Sequence, residues 1–476
     1  MAVRWKCFSV PLEEVFEKIE SLIADLMLKD HVPALSLAVV KEGKVVYAKG
    51  FGARNLKDNL PATPDTLYGI GSCTKSFTAL AIMQLSEQKK LDVQDPVKKY
   101  LPQFKIGKDE NPIRIHHLLS HSSGIPDLGS ADIDINRILG VDEKWVPFTS
   151  LDDVLSFING AKDEVAAEPG KRFFYLNEGY TLLGLIIEKA SNMHYEDYIK
   201  EKILKPLKMN RSTFPNDKFE SYMDVATPYF LQKKEDTLAA TPITLGIIPR
   251  LAYPAGGLLS SVGELTNYLT AYLGGGAFEG TKILDSTLLA ETYKPHIDTG
   301  YSTYFGKRWY GYGWRTDDDF FGHKCIGHSG SVLTSSADLR FVPDLKLGVA
   351  VASNNGIAES VFMIAPVVLA SLMGKDPLKE IPIFEIERKM TMLAGDYASY
   401  KGIGKLSVVR KGGILFAEIK DKLAEQSLAL IPENDKLENL RFYIPAGGMK
   451  MPAEFVVDSS GKIDLYIERN RFHKIK

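Results

Sequence analysis

The order in which hydrophobic patterns change along this chain constrains its fold more than any single motif. Near the start, PLEEVFEKIESLIADLMLKD (11–30) sets Val15, Ile19, Leu22, Ile23 and Leu26 at helical spacing. ALSLAVVKEGKVVYAKGFG follows as two apolar runs around Glu42-Gly43, a hairpin pattern. The stretch from 114 to 300 reads mostly as helices broken by Gly and Pro loops. Strand pattern returns in SADLRFVPDLKLGVAVASNN, two apolar runs around Pro343-Asp344, and 357–373 reads as a closing helix. Ends of this kind predict one antiparallel sheet built from both, with the middle as an all-helical insert, an α/β (α+β) domain.

The pattern changes again near KDPLKEIPIFEIERK (375–389). Beyond it come short alternating runs with turn signals, KLSVVRKGGILFAEI, SLALIPEN, LRFYIP and AEFVVDSSGKIDLYIER. These predict a second, small all-β barrel or sandwich of about ninety residues. The expected organisation is a first domain over 1–378, a linker over 379–390 and the β module over 391–476.

Composition narrows the function. Fifty-eight Lys and Arg against 60 Asp and Glu give a net charge of −2, which argues against nucleic acid or an anionic membrane as partner. Cys7, Cys73 and Cys325 are too few and too scattered for a disulfide framework or metal knuckle. No run reaches the ~18 apolar residues of a membrane span. The N-terminal MAVRWKCFSVPLEE has no apolar core of signal-peptide length, so a cytoplasmic protein is expected.

In YGIGSCTKSF (68–77), Ser72 and Lys75 sit three apart at the start of a buried-looking helix expected over 72–88. A serine there is an ordinary N-cap, but a lysine in the first turn faces the positive end of the helix dipole. Both features suit catalysis. The spacing puts the side chains on one face, and burial plus the dipole lower a lysine pKa until it can act as a base. The helix N-terminus offers N–H groups to an oxyanion. GIGSCTKS is also a degenerate phosphate loop, but Thr74 stands where the second glycine is needed.

A second element is KRFFYLNEGY (171–180), where Tyr175 and Asn177 point the same way if extended. A third is KCIGHSGSV (324–332), with His328 and small residues at an inferred sheet edge. Taken singly, each has a structural reading: an aromatic core strand, and a histidine beside a turn. His116, His117 and His121 lack the Glu of a zinc-binding H-E-x-x-H, so no metal is expected. Cys73 points off the Ser72–Lys75 face and reads as packing.

In order, S-x-x-K, Y-x-N and H-x-G resemble the serine β-lactamase and penicillin-binding-protein superfamily, and most of all its class C-like branch of D-Ala-D-Ala carboxypeptidases, D-aminopeptidases and esterases. The likeness covers roughly 10–375, with LDVQDPVKKYLP, IRIHHLLSHSSGIPD and YPAGGLLSSVGEL as supporting phrases. The tail resembles the lipocalin-like module of some members. The resemblance implies a transpeptidase-type fold without cofactor. It implies Ser72 as acylated nucleophile, Lys75 as base, Tyr175 as proton shuttle and Asn177 as the amide touching Lys75 and substrate. The backbone N–H groups of Ser72 and Ser331 would form the oxyanion hole beside Gly330, with His328 in place of the lysine of K-T-G.

Leu176 departs from the small residue usual in Y-[SA]-N, and His328 departs from lysine. An imidazole that titrates in the working range, donating to Tyr175 or to a substrate carbonyl, implies little dependence on a substrate carboxylate. The expected activity is hydrolysis of amide or ester bonds in small peptides, possibly with D-residues, or esters, through an acyl-enzyme. The alternative is a β-lactamase, or a penicillin-binding sensor that acylates without turnover. A homo-oligomer is compatible with the sequence.

Overall fold

A computed structural model of the chain describes residues 11–133, 150–215, 223–234, 237–242, 249–356, 359–420 and 425–475. Cys7 lies outside them. The residues fall into two compact units, Met1–Met373 and Gly374–Lys476.

The first unit is built on a nine-stranded sheet. Its strands are β1 (Ala34–Lys41), β2 (Lys44–Asn55), β3 (Leu60–Pro61), β4 (Ile297–Thr303), β5 (Gly306–Tyr310), β6 (Arg315–Phe320), β7 (His323–Val332), β8 (Ser335–Val342) and β9 (Leu347–Ser353). They lie in the order β4-β5-β6-β7-β8-β9-β1-β2-β3, with antiparallel pairing throughout. The two ends of the unit therefore meet at one seam, β1 against β9, from Leu35 opposite Ser353 to Lys41 opposite Leu347. This is the closure expected from the order of hydrophobic patterns.

Both seam strands are buried along almost their whole length, so both faces are covered. The unit's main helices are α1 (Leu12–Lys29), α2 (Thr74–Glu87), α3 (Leu151–Gly160), α4 (Asn177–Ser191), α5 (Val262–Leu273), α6 (Ser286–Tyr293) and α7 (Val361–Leu372); α5 packs on both seam strands and α7 on β9. In α1 the buried side chains are Phe16, Ile19, Ile23 and Leu26, a stripe at helical spacing. Val15 and Leu22, counted in that stripe on sequence, lie at its half-exposed margin.

Helix α2 is buried at every residue from Thr74 to Leu85, consistent with its apolar residues lying nearly all round. It begins two residues later than the sequence pattern placed it. Gly71–Cys73 form a separate 3-10 turn, because the Thr74 hydroxyl donates to Gly71 O at 2.7 Å and tightens the entry.

The second unit is a closed eight-stranded barrel. Its strands are β10 (Gly395–Ala398), β11 (Lys405–Lys411), β12 (Ile414–Lys420), β13 (Glu425–Pro432), β14 (Arg441–Ala446), β15 (Met449–Val457), β16 (Ile463–Ile467) and β17 (Asn470–Lys474), in sequence order. Leu406, Val408, Leu415, Ala417, Leu430, Phe442, Ile444, Phe455 and Leu465 fill its interior. Residues 379–390, expected as a linker, belong to this unit and are largely helix α8 (Pro382–Leu393). Its Ile386, Met390 and Leu393 join the barrel core, a helical period too short to stand out beside the strands.

Candidate active site

Ser72 and Lys75 meet where the helical insert abuts the sheet. Ser72 sits in the 3-10 turn, partly exposed, and Lys75 is the second residue of α2, fully buried. Lys75 Nζ lies 3.2 Å from Ser72 Oγ, 2.8 Å from Asn177 Oδ1 and 2.7 Å from the backbone oxygen of Ala255. The last two can only accept. A neutral amine has two N–H groups and one lone pair, so Asn177 and Ala255 take both hydrogens and the lone pair is left for the Ser72 hydroxyl. Burial, chiefly, pushes the Lys75 pKa down; Arg315 adds to this, while Tyr175 and Glu178 oppose it. Burial thus favours the neutral amine, and Lys75 Nζ lies within hydrogen-bond reach of the Ser72 hydroxyl.

The Y-x-N segment reaches the same Lys75 Nζ. Leu176 is extended and Asn177 opens α4. The Tyr175 ring centroid is 4.8 Å from Lys75 Nζ. The unusual Leu176 is buried, and its N–H donates to His121 Nδ1 at 3.0 Å. His121 packs its ring 4.2 Å from that of Tyr175, so the histidine set aside on sequence supports the tyrosine from below. Among the described residues no group of His, Cys, Asp and Glu has the arrangement of a metal site.

The third element presses against the nucleophile turn. A Cβ on Gly330 would stand 2.0 Å from Ile70 O and 2.6 Å from Ser72 N, and a Cβ on Gly71 would stand 2.5 Å from Ser331 N. Only glycines permit this crossing, and Gly71 also has a φ of +51°. The crossing packs the Gly330–Ser331 backbone directly against the Gly71–Ser72 backbone. Cys73 locks it, its buried thiol donating to His328 O at 3.0 Å.

His328 departs from its sequence expectation. It is buried, its Nδ1 faces Ser329 O at 2.6 Å and its Nε2 faces the Tyr310 hydroxyl at 2.9 Å. Desolvation, reinforced by Arg315 and Lys75, holds its pKa well below the ordinary histidine value. It is therefore a neutral imidazole that donates to a backbone carbonyl and accepts from a tyrosine, with no titration in the working range and no bond to Tyr175. Sequence spacing could not reveal this, because Tyr310 and Arg315 arrive from neighbouring strands.

Arg315 is the residue that sequence reading missed. It opens β6, pairs with Gly327 in β7, and donates from Nη1 to Ser329 Oγ at 3.1 Å. Its Cζ is 5.6 Å from the Tyr175 ring centroid, and its Nε is buried without a partner. A permanent cation thus stands beside the site after all. No motif flagged it, since one arginine in an alternating strand is unremarkable.

These elements agree with comparison to known proteins. A family model described as Beta-lactamase matches residues 19–369, most of the chain. The chain belongs to the beta-lactamase family. A second model, described as the Pab87 octamerisation domain, matches residues 377–473 of this beta-lactamase family member. The octameric penicillin-binding protein homologue from Pyrococcus abyssi is 40% identical, with a TM-score of 0.88 over 96% of this chain and 100% of that one. Protein flp of Staphylococcus aureus strain MW2 is 31% identical over 348 residues, 71% of this chain and 63% of that protein. Beta-lactamase-like protein 2 of Dictyostelium discoideum is 29% identical over 305 residues, 62% of this chain and 52% of that protein. The chain thus spans less than two thirds of the length of these two relatives. The expected fold, a serine β-lactamase-like sheet and helical insert followed by a barrel, holds.

Proposed function

We propose that this protein is a serine hydrolase that cleaves amide or ester bonds of small peptides and esters through an acyl-enzyme on Ser72. The observation that carries the reading is the buried Lys75 Nζ held 3.2 Å from Ser72 Oγ, with Asn177 Oδ1 and Ala255 O as its other two partners. Ser72 passes its proton to Lys75 Nζ as Oγ bonds to the substrate carbonyl carbon. The oxyanion sits between the Ser72 and Ser331 amides, where fixed dipoles stabilise it at no reorganisation cost. On collapse the C–N or C–O bond breaks, and the leaving group departs with a proton relayed from Lys75 through Tyr175. Water then attacks the acyl carbon along the same proton route in reverse.

Arg315 refines the substrate class. A guanidinium with donors to spare beside Tyr175 favours substrates with a carboxylate past the scissile bond, such as short peptides with a free C-terminus. This replaces the expectation, drawn from His328, of indifference to that group. Residues 377–473 support assembly into a homo-oligomer, by likeness to an octamerisation domain and to an octameric homologue.

The test is covalent labelling with a fluorophosphonate and turnover of a panel of nitrophenyl esters, D- and L-aminoacyl anilides and a chromogenic cephalosporin. Ser72→Ala is expected to abolish labelling and to lower turnover by a factor on the order of 10³ or more. Labelling that survives places the nucleophile elsewhere; a burst with no steady turnover assigns the chain to acylated sensors instead.

A further inference from the structure

Strand order assigns each turn of the barrel to one of its two ends, because successive antiparallel strands alternate direction. The turns after β11, β13 and β15 lie at one end together with α8, which runs straight into β10. That end is closed. Helix α8 buries Ile386, Met390 and Leu393 in the barrel core, Lys389 Nζ donates to Leu437 O at 3.0 Å, and Glu387 pairs with Arg410. The turns after β10, β14 and β16 lie at the opposite end.

Among the described residues, that opposite end carries the most exposed large apolar side chains of the barrel unit. Tyr400 is 71% exposed, Ile403 84% and Met449 72%. Among the described residues only Leu28 and Met223 are large apolar side chains of similar exposure, and both lie in the other unit. Lys401 holds a left-handed backbone (φ 54°) between Tyr400 and Ile403, a conformation that only over-determined loops keep. The barrel interior is filled by its own side chains, so a small apolar ligand has no lumen to enter through this mouth.

From this we infer that the open end of the barrel, through Tyr400, Ile403 and Met449, is the surface by which one copy of this chain binds the next. The inference rests on the proposed homo-oligomer and assigns it a face. The occupant is a second copy because the domain carrying the patch is the one that matches an octamerisation domain.

The experiment is native mass spectrometry and light scattering of the full chain at several concentrations. Variants are Ile403→Glu, Met449→Glu, the pair combined, and Val457→Glu at the closed end as control. All three positions are exposed, so the variants are expected to fold, which circular dichroism checks. The wild type is expected as an oligomer, Ile403→Glu and Met449→Glu each as smaller species, the pair as smaller still, and Val457→Glu unchanged. Fluorophosphonate labelling of Ser72 is expected to persist in all. A wild-type oligomer whose mass survives the Ile403 and Met449 changes, or is lost with Val457→Glu alone, overturns the assignment of the face. A monomeric wild type overturns the oligomer reading itself.

Discussion

Adding one methyl group at Gly330 tests the oxyanion geometry without touching any group proposed to react. In Gly330→Ala the new Cβ would sit 2.0 Å from Ile70 O, 2.6 Å from Ser72 N and 2.9 Å from Cys73 N. All three are backbone atoms, so no side chain can swing aside. Ordinary contact begins near 3.4 Å, so the turn and β7 must separate by about 1.4 Å. Overpacking of this kind costs about 1–3 kcal/mol of stability, measurable as a lower Tm in a protein that still folds. The catalytic effect is larger. The Ser72 and Ser331 amides, the proposed oxyanion donors, belong to the two backbones pressed together here, and a displacement of about 1 Å costs on the order of 10² in rate. Losing one oxyanion donor outright costs about 10²–10³. The acylation rate, read from the burst of nitrophenol in stopped flow, is therefore expected to fall by a factor of roughly 10²–10³, with substrate affinity changed far less. A folded Gly330→Ala protein that acylates at the wild-type rate would refute the placement of the oxyanion hole.

Arg315 lowers the Lys75 pKa, and a base works only when deprotonated, so activity falls as pH drops through that pKa. Arg315→Ala removes a cation that disfavours protonation, so the acidic limb of kcat/KM moves to higher pH, and preference for a carboxylate-bearing peptide over its amide falls by about tenfold or more. Tyr310→Phe leaves His328 Nε2 buried without its hydroxyl and costs about 1–3 kcal/mol, read as a drop in Tm. The pH profile of that variant is expected to be unchanged, because burial holds the His328 pKa well below the ordinary histidine value. A chain ending at residue 373 retains Ser72 labelling, since every proposed catalytic group lies within the first unit; loss of labelling on a folded fragment counts against this.

The sequence showed most where a pattern is local and repeated. The β1–β2 and β8–β9 hairpins, helix α2 and the alternating runs of the barrel each follow from periodicity within a dozen residues. Ser72, Lys75, Tyr175 and Asn177 come together as their spacing and the family resemblance implied. What stayed hidden depends on neighbours distant in sequence. Ala255 O reaches Lys75 across 180 residues, and a backbone carbonyl carries no signature in the sequence. Arg315 reaches the site only through the pairing of β6 with β7. The state of His328 follows from its burial and from Tyr310, which no count along β7 contains. Helix α8 was taken for a linker because its buried positions serve a core that follows it in the chain.

The seam between β1 and β9 sets a schedule for synthesis. Lys41 pairs with Leu347 and Leu35 with Ser353, partners roughly 300 residues apart. A ribosome adding about 5–20 residues per second makes the first half of the seam some 15–60 s before the second. Throughout that interval ALSLAVVK has β2 on one side and a bare row of N–H and C=O groups on the other. An apolar strand with an open edge is a template for any passing chain. A nascent copy is therefore most vulnerable before residue 347 emerges, and crowding of ribosomes on one message would bring several such edges together. The same pairing that closes the finished sheet makes its assembly slow and dependent on protection while it waits.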